Sequence, residues 1–167
     1  MENKTQTQTQ TVSDNAFTDQ QFIPTQENID NIIKKHVASA MGVGLIPMPV
    51  VDIVAIIGVQ LNLLRKLAKA YNIPFDRDKG KNLIASFTGG GLTVHLGSIF
   101  TSFLKTVPVI GPTAWALGMP ATAGASTYAI GKVFTQHFAS GGTFLNMNPD
   151  EVKEYYNEMF EKGKLKS

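Results

Sequence analysis

From Asn82 to Pro149 only two side chains carry a permanent charge, Lys105 and Lys132, in a stretch rich in Gly, Ala, Ser and Thr. Soluble domains average about a quarter charged residues, so so long a depletion requires enclosure, either by the rest of the chain or by a bilayer. Both settings favour helices that pack on one another, and neither is the setting of a polar active site.

The chain has 167 residues, the size of one domain, with a formal net charge of +2. Basic residues are scattered or interleaved with acids, so there is no stripe to follow a phosphate backbone, and nucleic acid is not an expected partner. There is no cysteine. That removes disulfides, thiol catalysis and thiolate metal sites, and fits a reducing compartment. Met1 is followed by a polar Thr/Gln-rich segment with no apolar run, so no signal peptide is expected, and any membrane insertion must be internal.

Residues 1–24 hold too little apolar surface to offset the entropy of ordering, and are expected to form a disordered tail ahead of a single domain at 25–163. Ile29, Ile32, Ile33, His36, Val37, Ala40 and Met41 recur at helical spacing, which predicts an amphipathic helix from about Gln26 to Met41. Gly42, Gly44, Pro47 and Pro49 break it. Pro49 suits the first turn of a second helix reaching about Tyr71, apolar in its first half and basic at Arg65, Lys66 and Lys69. Asn72 to Lys81 reads as a charged, solvated loop.

Two uncharged arms follow, Asn82 to Leu104 and Thr106 to Gly131, joined by a turn at Lys105, Pro108, Gly111 and Pro112. The first arm would reach roughly 34 Å as a helix, enough for a hydrocarbon core of about 30 Å. Pro120 is expected to kink the second arm, or to start its main helix near Ala121. Asn148-Pro149-Asp150-Glu151 is a helix start with a cap, a proline at the first position and acids in the first turn. Val152, Tyr155, Tyr156, Met159 and Phe160 make that last helix amphipathic, and its aromatics are expected to pack on the chain's own bundle. The resulting fold is all-α: a bundle of about five helices with a central uncharged, Gly/Ala-rich helical hairpin and an amphipathic C-terminal helix.

Small residues fall four apart along the arms, as in Ser86 and Gly90, in Thr93, Gly97 and Thr101, in Ala114, Gly118, Thr122 and Ser126, and in Ala121, Ala125 and Ala129. Such ridges let backbones approach closely, in lipid and in soluble bundles alike, and Gly90, Gly97, Gly118, Ala121 and Ala125 are the expected packing positions. If the hairpin inserts, Arg77, Lys79, Lys81 and Lys132 gather at one end and Lys105 alone lies at the other. The positive-inside rule then places both ends of the hairpin in the cytoplasm. The uncharged arm from His36 to Ile46 is too short to span, so residues 36–64 read as a core hairpin or at most a shallow re-entrant wedge.

Asp52 stands in an apolar run, where an ionised carboxylate needs a partner. Its place three residues after Pro49 suits the helix dipole, so capping is expected ahead of an ion-pair, proton or ion role. Gln60 shares its face and is expected to hydrogen-bond to a neighbouring helix. His36, His95 and His137 are far apart, with no adjacent Glu or Cys at a metal-ligand spacing. Gly89-Gly90-Gly91 lacks the GK[ST] of a phosphate loop, and no G-x-S-x-G occurs. No catalytic, cofactor or metal residue is therefore expected.

The run Ile46-Pro47-Met48-Pro49-Val50-Val51-Asp52, then Gln60 and Leu64 to Tyr71, and later Thr127-Tyr128-Ala129-Ile130-Gly131 before Phe134 to Phe138, resembles a known bacterial family. It is similar to the GTPase-associated, YcjF-like domain of unknown function 697, over about Ile29 to Phe160. The resemblance implies an all-helical, membrane-associated module, often fused to or encoded beside a Ras-like GTPase domain. No GTPase motif is present here, so a nucleotide switch would act in trans. Pro47, Pro49, Asp52, Gln60, Tyr128 and Gly131 carry over as signature residues, with no catalytic role attached.

The leading expectation is a non-enzymatic helical protein at the bacterial inner membrane with cytoplasmic termini, a scaffold or partner module for a separate GTPase or another regulator. Lipid, a GTPase-domain protein and a second copy are its expected partners. The alternatives are a soluble cytoplasmic adaptor that buries residues 82–140 in its own core, and a small pore or transport component using Asp52, Gln60 and His95 as polar stations.

Overall fold

The computed structural model describes residues 24–45, 49–89 and 111–166, and within them the chain is helical with no strand. The elements are α1 (Gln26–Val43), α2 (Pro49–Ala70), α3 (Arg77–Gly89), α4 (Gly111–Ala139) and α5 (Pro149–Lys164). The all-α bundle expected from the periodicity is the observed fold. Residues 1–23 of the expected tail, the turn at 46–48 and most of the first uncharged arm lie outside the described residues.

α1 buries Ile29, Ile33, His36 and Ala40, one stripe of the helix, and has Glu27 in its first turn. It runs two residues beyond the expected Met41 and stops where the Gly44 amide donates to the Ala40 carbonyl at 3.0 Å. α2 buries Gln60, Leu63, Leu64, Leu67 and Ala68. Its end is a Schellman turn. Asn72 takes the left-handed conformation (φ 55°), the Ile73 amide donates to the Ala68 carbonyl at 2.8 Å, and the Asn72 amide to that of Lys69 at 3.2 Å.

The connector expected from Asn72 to Lys81 is shorter than the composition suggests. Asp76 Oδ1 accepts from the Lys79 amide at 2.9 Å and caps α3, so the charged residues from Arg77 onward are its first turns. The second arm also departs from expectation. α4 is one helix through Pro120 and past Lys132 to Ala139. Pro120 removes one backbone donor, but it is buried, and a Cβ placed on Gly44 would lie 3.0 Å from its Cα. The end of α1 therefore rests directly on the proline turn. α4 closes with a second Schellman turn, in which Gly141 has φ 82° and the Gly142 amide donates to the His137 carbonyl at 2.9 Å.

α4 is the central helix, packed by α5, α1 and α2, with α3 against α2, α5 and α4. Ile33 lies on Gly131 and Gly44 on Pro120, so α1 runs antiparallel to α4. Ala123, Ala125, Ser126, Thr127, Ala129, Ile130, Val133, Phe134 and Phe138 of α4 are buried. This part of the arm is enclosed by protein. Among the described residues no helix is long and apolar enough to cross a membrane. The core is completed by an aromatic cluster in which Phe134 meets Phe138 at 5.5 Å, Phe144 at 5.7 Å and Phe87 at 6.2 Å, while Phe87 stacks on Tyr156 at 5.3 Å.

α5 starts as its sequence predicts. Asn148 Oδ1 accepts from the Asp150 amide at 3.2 Å, and its Nδ2 donates to Glu151 Oε1 at 2.8 Å. Tyr156, Met159 and Gly163 are the buried side of the helix.

Candidate functional site

Gln60 sits at the centre of the bundle with no exposed surface. Leu63, Leu64, Leu67 and Ala68 require the adjoining face of α2 to be buried, and the helical period carries Gln60 in with them. Its Nε2 donates to Ser126 Oγ at 3.1 Å and to Thr127 Oγ1 at 3.4 Å, and the Ser126 hydroxyl shares a 3.2 Å hydrogen bond with the Tyr156 hydroxyl. The network thus ties α2, α4 and α5. Burial raises the Tyr156 phenol above the ordinary tyrosine range against the opposing hydrogen bond from Ser126, so it stays protonated. Gln60 Oε1 has no hydrogen-bond partner among the described residues. Turning the amide over exchanges the roles of oxygen and nitrogen at the two hydroxyls and leaves the other end unpaired instead.

An amide satisfied at one end contributes little net stability, because the desolvation of its unpaired end offsets the bonds it makes. Gln60→Leu, close in volume, is expected to change unfolding free energy by no more than about 1 kcal/mol, whereas Gln60→Ala loses about 2 kcal/mol or more through the cavity. Urea titration of the two variants against wild type checks this. A Gln60→Leu variant as unstable as the alanine would mean that the network holds the bundle.

His36 joins α1 to α2. Its Nδ1–H donates to the Ile32 carbonyl at 2.7 Å, and its Nε2 accepts from Asn62 Nδ2 at 3.3 Å, the pattern of a neutral ring. Burial, with a smaller push from Lys66, lowers its pKa below 6.5 against the pull of the Ile32 carbonyl. The unfolded chain therefore takes up this proton first. The contribution of His36 is complete above about pH 6.5 and is lost as pH falls through the lower folded-state value. His36→Gln is expected to lose less stability than wild type on acidification from neutral pH to about pH 5, measured as the difference between their urea midpoints. Equal losses would show that the ring is not the titrating group.

The other expected residues fall as follows. Pro49 opens α2 and Asp52 stands in its first turn, while Pro47, Gly90, Gly97 and His95 lie outside the described residues. Tyr128 is half-buried under two cations. Lys166 Nζ donates to its hydroxyl at 3.2 Å and lies 5.1 Å from the ring centre, and Lys132 Nζ lies 5.8 Å from it. Lys132 also pairs with Asp30 at 2.7 Å, tying α4 to α1. Gly131 is packed so closely by α1 that a Cβ there would lie 2.9 Å from Ile33 Cγ1.

The small-residue ridges divide. Ala125 and Ala129 are buried and Ala121 is half-buried, whereas Gly118 is exposed with no atom within 4 Å of its open side among the described residues. The expectation that Gly118 packs a helix is therefore not met inside the described bundle. His137 Nε2 faces the Thr143 carbonyl at 3.0 Å and Asn146 Oδ1 at 3.2 Å, a local brace for the loop after α4. Among the described residues no group of three His, Asp or Glu is placed to hold a metal.

Two features escaped the sequence reading. One is Gly163, where a Cβ would come within 2.8 Å of Ala125 Cα, so α5 meets α4 backbone to backbone. The other is the axial sorting of charge. The contacts of Gly131 with Ile33, Gln60 with Ser126, and Gly163 with Ala125 set α1, α2 and α5 against one stretch of α4, residues 125–131. Towards Ala139 lie Glu27 and Asp30 of α1, Arg65, Lys66 and Lys69 of α2, and most of the charged residues of α5. In the other direction residues 36–45 and 49–64 contain only Asp52, and 111–131 no residue, with a permanent charge. The exposed apolar side chains Leu45 and Val54 lie at that uncharged end, 65% and 68% accessible.

No solved structure matches the chain. It is similar to Magnetosome membrane protein 22 of Magnetospirillum gryphiswaldense, with 39% identity over 139 residues that cover 81% of this chain and 70% of the relative. A family profile matches residues 8–164, a longer stretch than the motifs indicated because it takes in much of the N-terminal segment. With its helical order and the motif residues from Pro49 to Gly131 in place, the chain belongs to the family described as Domain of unknown function (DUF697).

Proposed function

We propose that this protein is a non-enzymatic, membrane-associated helical module that seats its uncharged end in a bilayer and offers its charged end to a protein partner, either a separate GTPase domain or another regulator. The observation that carries this reading is the axial sorting of charge, which leaves Leu45 and Val54 exposed at an end whose helices have no cation between His36 and Leu64. The name of the magnetosome relative supports the membrane half of the reading. The regulator half rests on the charged end alone. The inner membrane with cytoplasmic termini is the proposed location, and a second copy against the exposed Gly118 and Thr122 face of α4 is a natural extension.

Fractionation of the untagged chain tests the membrane half. Retention through an alkaline carbonate wash, with release by detergent, is the expected result, and recovery as an aqueous monomer would sink it. Enclosure of residues 123–138 by protein favours a second reading, an adaptor that needs no lipid; capture of a G-domain protein by the detergent-free chain would support that one. A pore station at Gln60 is disfavoured, because its amide is fully enclosed.

A further inference from the structure

Four cations from three elements stand where the charged part of the bundle gives way to the uncharged part. Lys35 of α1 follows Ile33, which lies on Gly131, by two residues, and Arg65 and Lys66 of α2 follow Gln60, which faces Ser126, by five and six. With a rise of about 1.5 Å per residue, all three lie within roughly 9 Å of those cross-helix contacts along the bundle. Lys166, just past α5, is brought to the same level by its hydrogen bond to the Tyr128 hydroxyl.

All four are exposed, and none makes an ion pair among the described residues. Two other cations nearby are paired, Lys132 with Asp30 and Lys164 with Glu161. The acids of α5 are partly committed as well, with Glu158 on Lys162 and Glu161 on Lys164. Leu165, between Lys164 and Lys166, is 89% exposed, and Tyr128 lies beneath Lys166 with its hydroxyl engaged. Unpaired cations, a tyrosine and an exposed leucine at the border of an uncharged end match the chemistry of a bilayer interface. Lysine stems can run along apolar surface while their ammonium groups reach the phosphates.

We infer that Lys35, Arg65, Lys66 and Lys166 form a collar that binds the anionic headgroups of a phospholipid bilayer, setting how deep the uncharged end sits and favouring membranes rich in acidic lipid. The collar rests on the membrane reading given above, and adds to it a lipid class and a level. An anionic bilayer fits better than an acidic protein because the cations come from more than one helix at the border of the uncharged end, and because the exposed Leu45 and Val54 lie beyond them.

The test is flotation of the full chain with vesicles of phosphatidylcholine alone or of phosphatidylcholine mixed equally with phosphatidylglycerol, at low and high salt. Wild type is expected to prefer the anionic vesicles by about tenfold or more at low salt, with the preference shrinking as salt rises. The variant Lys35→Gln, Arg65→Gln, Lys66→Gln, Lys166→Gln is expected to lose that preference while binding neutral vesicles as wild type does. The charge-keeping set Lys35→Arg, Arg65→Lys, Lys66→Arg, Lys166→Arg should retain it, which separates lost charge from lost fold. Equal flotation of wild type on both vesicles, or a preference that survives the glutamine set, would overturn the collar and leave the membrane reading intact. Flotation on neither would sink both, and inorganic polyphosphate binding as tightly as anionic vesicles would reduce the collar to a general anion site and overturn it.

Discussion

Phe134→Ala is expected to destabilise the bundle by about 3–5 kcal/mol, the largest loss of any single side chain described here. Phe134 has no exposed surface and meets the rings of Phe87, Phe138 and Phe144, which come from α3, α4 and the loop between α4 and α5. Removing the ring leaves a cavity bounded by three separate pieces of chain, each fixed by its own cap or turn, so the walls cannot close on it without breaking another contact. Phe134→Leu fills most of that space and should lose clearly less. Urea unfolding of both variants, with unchanged slopes, checks the order. A loss below about 1 kcal/mol for the alanine would mean that this cluster is not the centre of the core.

The second large effect is set by the approach of α5 to α4. Gly163→Ala places a methyl group 2.8 Å from Ala125 Cα and 3.1 Å from its carbonyl oxygen. These are backbone atoms of a buried helix and cannot swing aside, so the last turn of α5 must move outward. A loss of about 1–3 kcal/mol is expected, against a helix-propensity gain of at most about 1 kcal/mol that acts in the opposite direction. Gly118→Ala is the matched comparison, since its methyl would meet nothing within 4 Å among the described residues. That substitution should be neutral or stabilising, and thermal unfolding of the pair separates sterics from propensity. If Gly163→Ala stabilised the protein as Gly118→Ala does, the close crossing of the two helices would be refuted.

Much of the architecture could be read from local chemistry. α1 and α5 carry strong apolar stripes, and α5 has both a capping Asn148 and Pro149, so their starts fell where expected. α3 was misplaced because charged residues next to a proline resemble a loop, whereas the first turn of a helix tolerates them once Asp76 caps it. The continuity of α4 was beyond any local rule. Proline ordinarily kinks or interrupts a helix, and here the proline turn is packed by Gly44, 76 residues away in sequence.

The candidate site shows the same boundary between local and long-range information. The helical period of α2 made Gln60 an interhelical residue, but Ser126 and Thr127 lie 66 and 67 positions away and nothing in the sequence pairs them. Gly163 reads locally as an ordinary glycine near a helix end, and only the position of Ala125 reveals why a side chain would not fit. The family motifs, by contrast, were legible because they are contiguous, and the run from Thr127 to Gly131 lies within the largely buried stretch of α4.

The unbroken course of α4 has a mechanical consequence. Its 29 residues run as one helix for roughly 44 Å, anchored near one end among aromatic rings and packed by Gly44 at the proline turn. A rod of that length tilted by about ten degrees at one end moves the other by roughly 8 Å. Gly44, seated against Pro120, backs the helix at the turn where the proline removes a donor. Force applied where the chain is uncharged is therefore delivered, amplified by leverage, to the surface that carries its charges.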